Sequence, residues 1–404
     1  MRLTTFFADP ARRNVALLAL AQALFQSVQG MSVATTPIAA YGLLGADEKW
    51  MATVPIFLGH FGIMTMTIPA SLLMARIGRR RGFSLGACIG IASGFVGCTA
   101  IFKASFPLLC LAAYMQGTAM AFAWYYRFAA ADAAEPDYRA KAISLVMAGG
   151  VLAGFLGPQM AKWSVDLFAP VLFAGVYLGG ASFASLVLIV VQFLRIPELT
   201  EVEKASGGRT LRTIAQQPAF RVALASSVLG YAVMTLTMSA TPLAMLACGF
   251  HFTDSATVIQ AHIIAMFLPS FFTGHLIVRF GVVPIIVAGG LIQVGCAIIN
   301  LAGVHFANFF FANILVGAGW NFTYVGGSTL LTRTYTAAER AKVQASHDFT
   351  VYAATATAAA ASGVLATEAG WAVVNLAALP LMMTVIGAAL WLAAQERRAL
   401  QPAE

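Results

Sequence analysis

Two pairs of side chains with soft or borderline donor atoms lie in neighbouring apolar stretches of the sequence. Met234 and Met238 form one pair, and His262 and Met266 form the other. Each pair is spaced i, i+4, which places both side chains on one face of a helix, one turn apart. Thioether and imidazole groups are ligands that copper accepts. The spacing therefore predicts a metal site, holding copper as Cu(I), between two adjacent helices.

The same His-x-x-x-Met spacing occurs in the first half of the chain. His60 and Met64 precede His262 and Met266 by 202 residues. In a protein built from two related halves, such pairs occupy related positions across a central cavity. We therefore expect His60 and Met64 to complete the metal site or to pass the ion along it. Cys248, shortly after the methionine pair, is a further candidate ligand.

Ordinary packing explains part of this pattern equally well. The chain has 16 methionines, and methionine often fills gaps between helices. A histidine inside an apolar span is costly and is a functional candidate by default. Its alternative role is a structural hydrogen bond to a backbone carbonyl or to a threonine on the next helix. At the level of sequence both roles stay open.

His347 and Asp348 lie early in another apolar stretch. An intramembrane carboxylate is a candidate for proton coupling, and the alternative is an ion-paired strut with Arg333 or Arg340. The stretch 320–322, Trp-Asn-Phe, follows two glycines in the middle of an apolar segment, where cavity lining and packing are both possible.

Arg127 and Asp132 lie near the end of the fourth apolar segment. They are expected to form a salt-bridge gate, and the alternative for Arg127 is to extend its charged end toward water. Trp124, Tyr125 and Tyr126 are expected in the belt of aromatic residues at a membrane interface.

Composition identifies the class of protein. Of the 404 residues, 60% are hydrophobic and 10% are charged, whereas soluble domains have about 25% charged residues. The chain is therefore expected to be an integral membrane protein surrounded by lipid, with its first span a retained anchor. Basic loops explain the net charge of +8 without nucleic acid. The five cysteines lack a CxxC pair, so neither a disulfide framework nor a closed zinc site is expected.

A membrane span needs about 20 mainly apolar residues, and twelve such stretches are predicted. They lie at 15–43, 51–75, 83–102, 107–130, 140–161, 170–194, 219–247, 256–278, 282–303, 306–331, 341–364 and 372–394. The longest polar stretch separates the sixth from the seventh. The predicted organisation is an all-α protein with a six-helix half at 1–196, a linker at 197–217 and a second six-helix half at 218–404.

The distribution of basic residues predicts the orientation. If both termini are cytoplasmic, the outer loops contain only Lys49, Lys103 and Lys162. The other lysines and arginines then lie on the inner side, as the positive-inside rule requires. We expect a multi-pass protein of the bacterial inner membrane with its linker and both termini in the cytoplasm.

The two halves resemble each other in sequence. Three short matches recur after 201, 203 and 205 residues: Arg139-Ala-Lys141 with Arg340-Ala-Lys342, Arg76-Ile-Gly78 with Arg279-Phe-Gly281, and Thr36-Pro37 with Thr241-Pro242. Matches at nearly one offset, on corresponding helices, indicate a repeat of domain size.

These features together resemble the major facilitator superfamily. The turn after the second span, Ser71-Leu-Leu-Met-Ala75-Arg76-Ile-Gly78-Arg79-Arg80, is similar to the family motif G-x-x-x-D-R-x-G-R-R, with Ser71 in place of the first glycine and Ala75 in place of the acid. Gly150-x-x-x-Gly154-x-x-Gly157-Pro158 resembles the family's glycine–proline motif. Small residues there let helices approach closely. The resemblance covers the whole chain and implies the fold rather than the cargo.

Within that superfamily, the paired motifs resemble the CcoA-type copper importers, which supply copper for cytochrome oxidase assembly. The resemblance implies that Met234, Met238, His262 and Met266 are copper ligands, with Cys248 as the matching membrane cysteine. It also implies import as the direction of transport. A cytoplasmic copper acceptor or chaperone would then be a partner, and the protein is expected to be monomeric.

The sequence therefore favours a secondary transporter that imports copper by alternating access, with copper as substrate and no cofactor. The alternative is an exporter of a small organic cargo such as a drug, a sugar or a siderophore-like compound, in which the methionines form an adaptable apolar wall. A membrane-bound copper sensor is a further alternative. An enzyme is not expected, because the chain contains no HExxH, GxSxG or phosphate-loop motif.

Overall fold

The computed structural model describes residues 10–133, 139–196, 208–336 and 339–400. Within these ranges the chain forms twelve segments long enough for a membrane span, and helices α4 and α8 are each divided into two arms. Their bounds are α1 Pro10–Leu43, α2 Val54–Ile77, α3 Arg79–Phe102, α4a Phe106–Ala123, α4b Tyr126–Asp132, α5 Arg139–Ser164, α6 Ala174–Gln192, α7 Pro218–Ala247, α8a Phe252–Phe267, α8b Ser270–Phe280, α9 Val282–Ala302, α10 Phe306–Leu331, α11 Arg340–Val364 and α12 Trp371–Leu400.

Apolar composition explains why these segments are helical, since a helix satisfies all its backbone hydrogen bonds internally in lipid. Nine of the described helices are long and apolar enough to span a membrane by themselves, and the two arms of α8 together make a tenth. A 3₁₀ helix, Ala46–Thr53, precedes α2, a short helix, Leu211–Ala215, precedes α7, and a π-helical turn, Leu365–Ala369, ends α11.

The repeated Arg-x-Gly sequence marks the same sharp turn in both halves. Gly78 lies between α2 and α3 with a φ of +86°, and Gly281 lies between α8b and α9 with a φ of +89°. A side chain disfavours this region of φ, whereas glycine adopts it readily. The turn glycines thus have a direct conformational reason to recur.

The two sets of six helices meet along two main lines of contact. Helix α2 packs against α11, and α5 packs against α8a. Helices α1 and α7 lie at the centre and are largely buried within the bundle. This arrangement leaves a cavity between the halves, enclosed mainly by α1, α2, α4, α7, α8 and α10.

The predicted spans agree with the helices, with differences at their ends. Helix α1 begins at Pro10 and α12 continues to Leu400, several residues beyond the predicted limits, because helices extend past the apolar core of a bilayer. The eighth span is broken near Pro269, which the sequence pattern did not predict. The domain boundaries stay a prediction, and residues 197–207 of the predicted linker lie outside the described ranges.

Candidate functional site

The central cavity contains about 620 Å³ of space between atoms, part of which is open to solvent. Both halves contribute to its wall. The residues that line it are Gln26, Gln29, Gly30, Val33, His60, Ile63, Met120, Trp124, Tyr231, Met234, Met238, Ile263, Met266, Phe267 and Trp320. The wall is therefore mainly apolar and aromatic, with two amides, one imidazole and several thioethers.

Four of the predicted metal ligands lie on this wall. Met234, Met238 and Met266 line it from the second half, and His60 lines it from the first. Each of the four side chains is almost completely buried. The structure thus brings together thioethers from α7 and α8a with an imidazole from α2.

The other predicted ligands lie elsewhere. His262 is fully buried but faces α10, where its Nδ1 lies 2.9 Å from the backbone oxygen of Asn313. Met64 packs against the core of the first half. Cys248 is exposed at the end of α7, ten residues beyond Met238, which corresponds to about 15 Å along a helix.

The hydrogen bonds of the two histidines define the state of each ring. His60 Nδ1 lies 3.0 Å from the carbonyl oxygen of Ile56, and His262 Nδ1 contacts the carbonyl of Asn313 in the same way. A carbonyl oxygen only accepts, so Nδ1 donates in both rings. In the neutral imidazole Nε2 then carries the free lone pair, as in many metal-binding histidines. Each histidine therefore makes a structural hydrogen bond through Nδ1 and keeps Nε2 as a possible ligand atom.

No group of three His, Cys, Asp or Glu side chains is close enough to hold a metal ion among the described residues. Any metal bound in the cavity would therefore depend on methionine sulfur, with His60 as the nitrogen donor. Such a set suits a soft ion and no other common metal.

Several aromatic rings of the cavity wall are in contact with one another. The ring of Trp320 contacts Tyr231 edge to face at 5.2 Å and Phe267 edge to face at 6.0 Å, and it stacks on Tyr324 at 5.1 Å. Trp124 contributes a ring from the first half. The indole Nε1 atoms of Trp124 and Trp320 are buried and have no hydrogen-bond partner in the described part of the chain. Both are therefore unsatisfied hydrogen-bond donors in this conformation.

Only part of this wall could be predicted from the sequence. Trp320 was a candidate for cavity lining, and the structure confirms that position. The predicted interfacial belt was wrong for Trp124, which lines the cavity, and for Tyr126, which is fully buried against Phe83. Gln26 and Gln29 were missed. Their i, i+3 spacing in an apolar span places two amides on one face, which is the pattern that could have revealed them.

A polar cluster lies on the side of the cavity nearer Arg209, which we call the linker face. Arg127 Nη2 of α4b is 3.7 Å from Asp348 Oδ2 of α11, so this ion pair joins the two halves. His347 Nδ1 lies 3.1 Å from Asp348 Oδ1. Arg127 thus has a partner on a distant helix, whereas its predicted pairing with Asp132 stays a prediction. The side chain of Asp132 lies outside the described part of the structure.

Asp348 was also considered as a strut with Arg333 or Arg340. Arg333 is exposed beyond the end of α10, and the side chain of Arg340 is not described. Arg127 is the cationic partner of Asp348 within the described residues. The guanidinium of Arg127 also lies over the rings of Trp124 and Phe128, at 5.5 and 4.7 Å. The Arg127–Asp348 pair thus borders the aromatic cavity directly.

Contacts between the halves also close the opposite face. Lys162 Nζ at the end of α5 donates to Thr257 Oγ1 of α8a over 2.7 Å. Near the end of α11, Gly363 lies against the 3₁₀ helix, and a Cβ at this position would approach the backbone oxygen of Trp50 to 2.8 Å. The cavity is therefore bounded by contacts between the halves on both faces.

Comparisons with known proteins agree with this architecture. Residues 15–302 match the Major Facilitator Superfamily. The riboflavin transporter RfnT of Brucella anthropi is 38% identical over 384 residues, which covers 94% of this chain and 95% of RfnT. YddS of Bacillus subtilis, an uncharacterised transporter of the superfamily type, is 25% identical over 397 residues, covering 94% of this chain and 91% of YddS.

Solved transporters share the fold at low sequence identity. The E. coli fucose:proton symporter FucP has a TM-score of 0.64 and 14% identity, covering 95% of this chain and 99% of FucP. The nucleoside transporter NupG has a TM-score of 0.68 and 14% identity, covering 93% of this chain and 99% of NupG. A twelve-helix chain with a central cavity, matched along most of its length, is a transporter rather than an enzyme. The protein belongs to the major facilitator superfamily of secondary transporters.

Proposed function

We propose that this transporter carries a planar heteroaromatic solute of the riboflavin class. The observation that supports this cargo is the cavity wall, where the rings of Trp124, Tyr231, Phe267 and Trp320 line the space between the two halves. Planar ligands bind such walls by stacking and edge contacts. The 38% identity to a riboflavin transporter along nearly the whole chain supports the same class.

The polar groups of the cavity suit the polar groups of a flavin. The free indole N–H groups of Trp124 and Trp320 can donate to carbonyl oxygens or ring nitrogens of an isoalloxazine. The amides of Gln26 and Gln29 can both donate and accept, which matches the hydroxyl groups of a ribityl chain. A small number of placed polar groups in an apolar site is the usual basis of orientation and specificity.

Transport would proceed by alternating access in the inner membrane, with the linker face toward the cytoplasm. The two halves would rock about the cavity. Separation of Arg127 from Asp348 would open the linker face, and separation of Lys162 from Thr257 would open the opposite face. The proximity of Asp348 and His347 to the cavity makes this pair our candidate for proton coupling. No cofactor is required for such a cycle.

Copper is a second candidate, and one observation favours it. The sulfur atoms of Met234, Met238 and Met266 share the cavity with His60, whose Nδ1 is anchored to a carbonyl. A neutral set of thioethers with one imidazole fits Cu(I). If copper is the cargo, import as a monomer and delivery to a cytoplasmic acceptor would follow the pattern of the CcoA-type importers.

Paired variants separate the two cargoes. Leucine replaces methionine with little change in volume, so we expect Met234→Leu with Met238→Leu to leave riboflavin transport within about threefold of wild type. Uptake of radiolabelled riboflavin and of copper would be measured in the same proteoliposomes. The copper proposal would replace the organic cargo if two results occurred together. The wild type would take up copper but no riboflavin, and the double variant would take up no copper.

A further inference from the structure

Helix α8 changes direction immediately after its cavity-lining residues. Helix α8a ends at Phe267 and α8b begins at Ser270, and the two arms meet at an angle of 42°. Pro269 lies in the break. Proline removes a backbone N–H and its ring clashes with the preceding turn, so a kink at this position has a clear cause. Met266 and Phe267, which line the cavity, are the last two residues of α8a before the break.

A single side chain from α10 connects the two arms. Asn321 Nδ2 donates to the backbone oxygen of Met266 over 2.7 Å and to Ser270 Oγ over 2.7 Å. Its Oδ1 accepts from Thr273 Oγ1 of α8b, also over 2.7 Å. Asn321 and Thr273 are fully buried. The amide thus uses both its hydrogens and its oxygen on α8, so that these bonds tie α8a to α8b.

The first half has no corresponding asparagine, although it carries a proline in the same region. Helix α2 contains Pro69, nine residues after His60, yet it runs as one helix from Val54 to Ile77. Helix α4a is the counterpart of α10 in the first half, and the two helices begin 200 residues apart. With a separation of 200 to 202 residues between corresponding positions, Asn321 corresponds to the segment 119–121, Ala-Met-Ala. No side chain there can supply an amide. The half with the broken helix is therefore also the half in which an asparagine bonds both arms.

We infer that Asn321 is a positioning residue, which fixes the bend of α8 and thereby places Met266 and Phe267 against the cargo. Side chains of neighbouring helices commonly satisfy backbone groups that a proline releases in a membrane helix. Asn321 itself is not among the cavity-lining residues, so it acts through α8. The part of this inference that concerns cargo rests on the proposed transport of a flavin, whereas the part that concerns the bend does not.

The bend also adjoins a contact between the two halves. A Cβ at Gly150 of α5 would approach the ring of Phe267 to 2.7 Å, and a Cβ at Gly154 would approach Ile264 to 2.9 Å. Helix α8a is therefore packed tightly on α5 just before the break. A change in the bend would alter the cavity wall and this contact together.

The test uses Asn321→Leu, which keeps the side-chain size and removes all three hydrogen bonds. Asn375→Leu in α12 is the matched control, because Asn375 is also fully buried and bonded to another asparagine, Asn300. Spin labels at the exposed positions Thr253 and Val278, in a cysteine-free background, report the length of α8. A straight helix of this length would be about 2 Å longer than the bent one, at 1.5 Å per residue.

We expect Asn321→Leu to shift or broaden this distance toward the straight helix and to weaken riboflavin binding roughly tenfold, the effect of one lost pocket contact. Binding would be followed by quenching of flavin fluorescence. Asn375→Leu should lower thermal stability comparably and leave both readouts unchanged. An unchanged distance in Asn321→Leu, or an equal loss of binding in Asn375→Leu, would overturn the inference.

A second variant covers the case in which Asn321→Leu fails to fold. Adding Pro269→Ala to it restores the missing N–H, so α8 can satisfy its own backbone. The double variant should fold with a straight α8 and bind riboflavin weakly. If it binds like wild type, Asn321 has no positioning role. Failure of the wild type to bind riboflavin would overturn the proposed cargo alone, because the distance measurement needs no cargo.

Discussion

At the scale of residues, the same side chains of the cavity could bind either a soft metal ion or an aromatic solute. Met234, Met238 and Met266 offer sulfur to a soft metal, but they also give an adaptable apolar contact to an aromatic ring. The methionines therefore do not discriminate between cargoes. The unpaired indole N–H groups of Trp124 and Trp320 favour an organic cargo over a metal ion, because an N–H group donates to an acceptor atom and cannot coordinate a cation.

Trp320 is the residue whose removal should most affect a flavin cargo. Trp320→Leu removes a stacking surface and a hydrogen-bond donor, and aromatic contacts contribute about 0.5–1.5 kcal/mol beyond their buried area. We expect riboflavin affinity to fall about tenfold or more in a fluorescence titration. Trp163→Leu is the control, since Trp163 is 69% exposed at the end of α5. Equal affinities for the two variants would contradict flavin binding at Trp320.

At the scale of helices, the glycines of α5 meet close neighbours on two sides. A Cβ at Gly149 would approach the backbone oxygen of Ala19 to 2.6 Å, and one at Gly157 would approach that of Ser27 to 2.5 Å. Glycines of α5 therefore contact α1 on one side while Gly150 and Gly154 contact α8a on the other. This is the close approach that small residues permit in membranes.

Gly157→Ala should separate α5 from α1. The added methyl group meets backbone, which cannot move aside as a flexible side chain can, so we expect a destabilisation of about 1–3 kcal/mol. The measurement is the thermal unfolding of purified protein in detergent. Gly387→Ala in α12 is the control, since no atom lies within 4 Å of its added Cβ. Its Tm should remain unchanged or rise, because alanine favours helix.

An ion pair and several hydrogen bonds join the described end of the linker to the second half. Arg209 Nε and Nη2 donate to the two carboxylate oxygens of Glu339 over 2.9 and 2.8 Å, and the Thr336 N–H donates to the same group. Glu339 is buried. The Arg209 guanidinium, followed by the Thr336 N–H, holds the pKa of Glu339 well below its usual range.

This depressed pKa predicts how Glu339 contributes to stability as pH changes. A carboxyl whose folded pKa lies below its unfolded value of about 4.3 stabilises fully above that value. The contribution is lost as pH falls toward the folded pKa. We expect Glu339→Gln to lower the Tm at pH 7, with the difference from wild type narrowing below about pH 4. The exposed Glu368 provides the control: Glu368→Gln should show no difference at pH 7.

At the scale of the whole molecule, the two halves are in contact on both sides of the cavity. Arg127 and Asp348 close the linker face, whereas Lys162 with Thr257 and Gly363 with Trp50 close the opposite face. Transport requires one set of contacts to open while the other holds. The contact at Gly363 involves backbone, so it depends on the absence of a side chain.

Gly363→Ala should weaken closure of the opposite face. The methyl group would meet Thr53 and the backbone of Trp50, which favours conformations open on that side. A reporter cysteine replacing Gln29 in the cavity, in a background without native cysteines, would then react several-fold faster with an impermeant maleimide added from that side. Gly42→Ala, with no atom within 4 Å of its Cβ, should leave the rate unchanged. Equal rates for both variants would contradict this account of the gate.

The spans, the repeat and the turn glycines can be predicted from local sequence alone. Each depends on local properties: about 20 apolar residues per crossing, a glycine where φ is positive at Gly78 and Gly281, and small residues at Gly150 and Gly154. It also placed Met234, Met238, Met266 and His60 in spans that surround one cavity. These inferences need no knowledge of which helix face meets which neighbour.

The directions of the side chains, and the distant groups that they meet, depend on the tertiary structure. It turned His262 toward Asn313, paired Arg127 with Asp348 across the halves, and held the bend of α8 through Asn321. The physical reason is that lipid, helix contacts and the cavity wall are all apolar. Hydropathy therefore identifies a membrane helix without distinguishing its faces, and the spatial arrangement of the helices assigns each face its role.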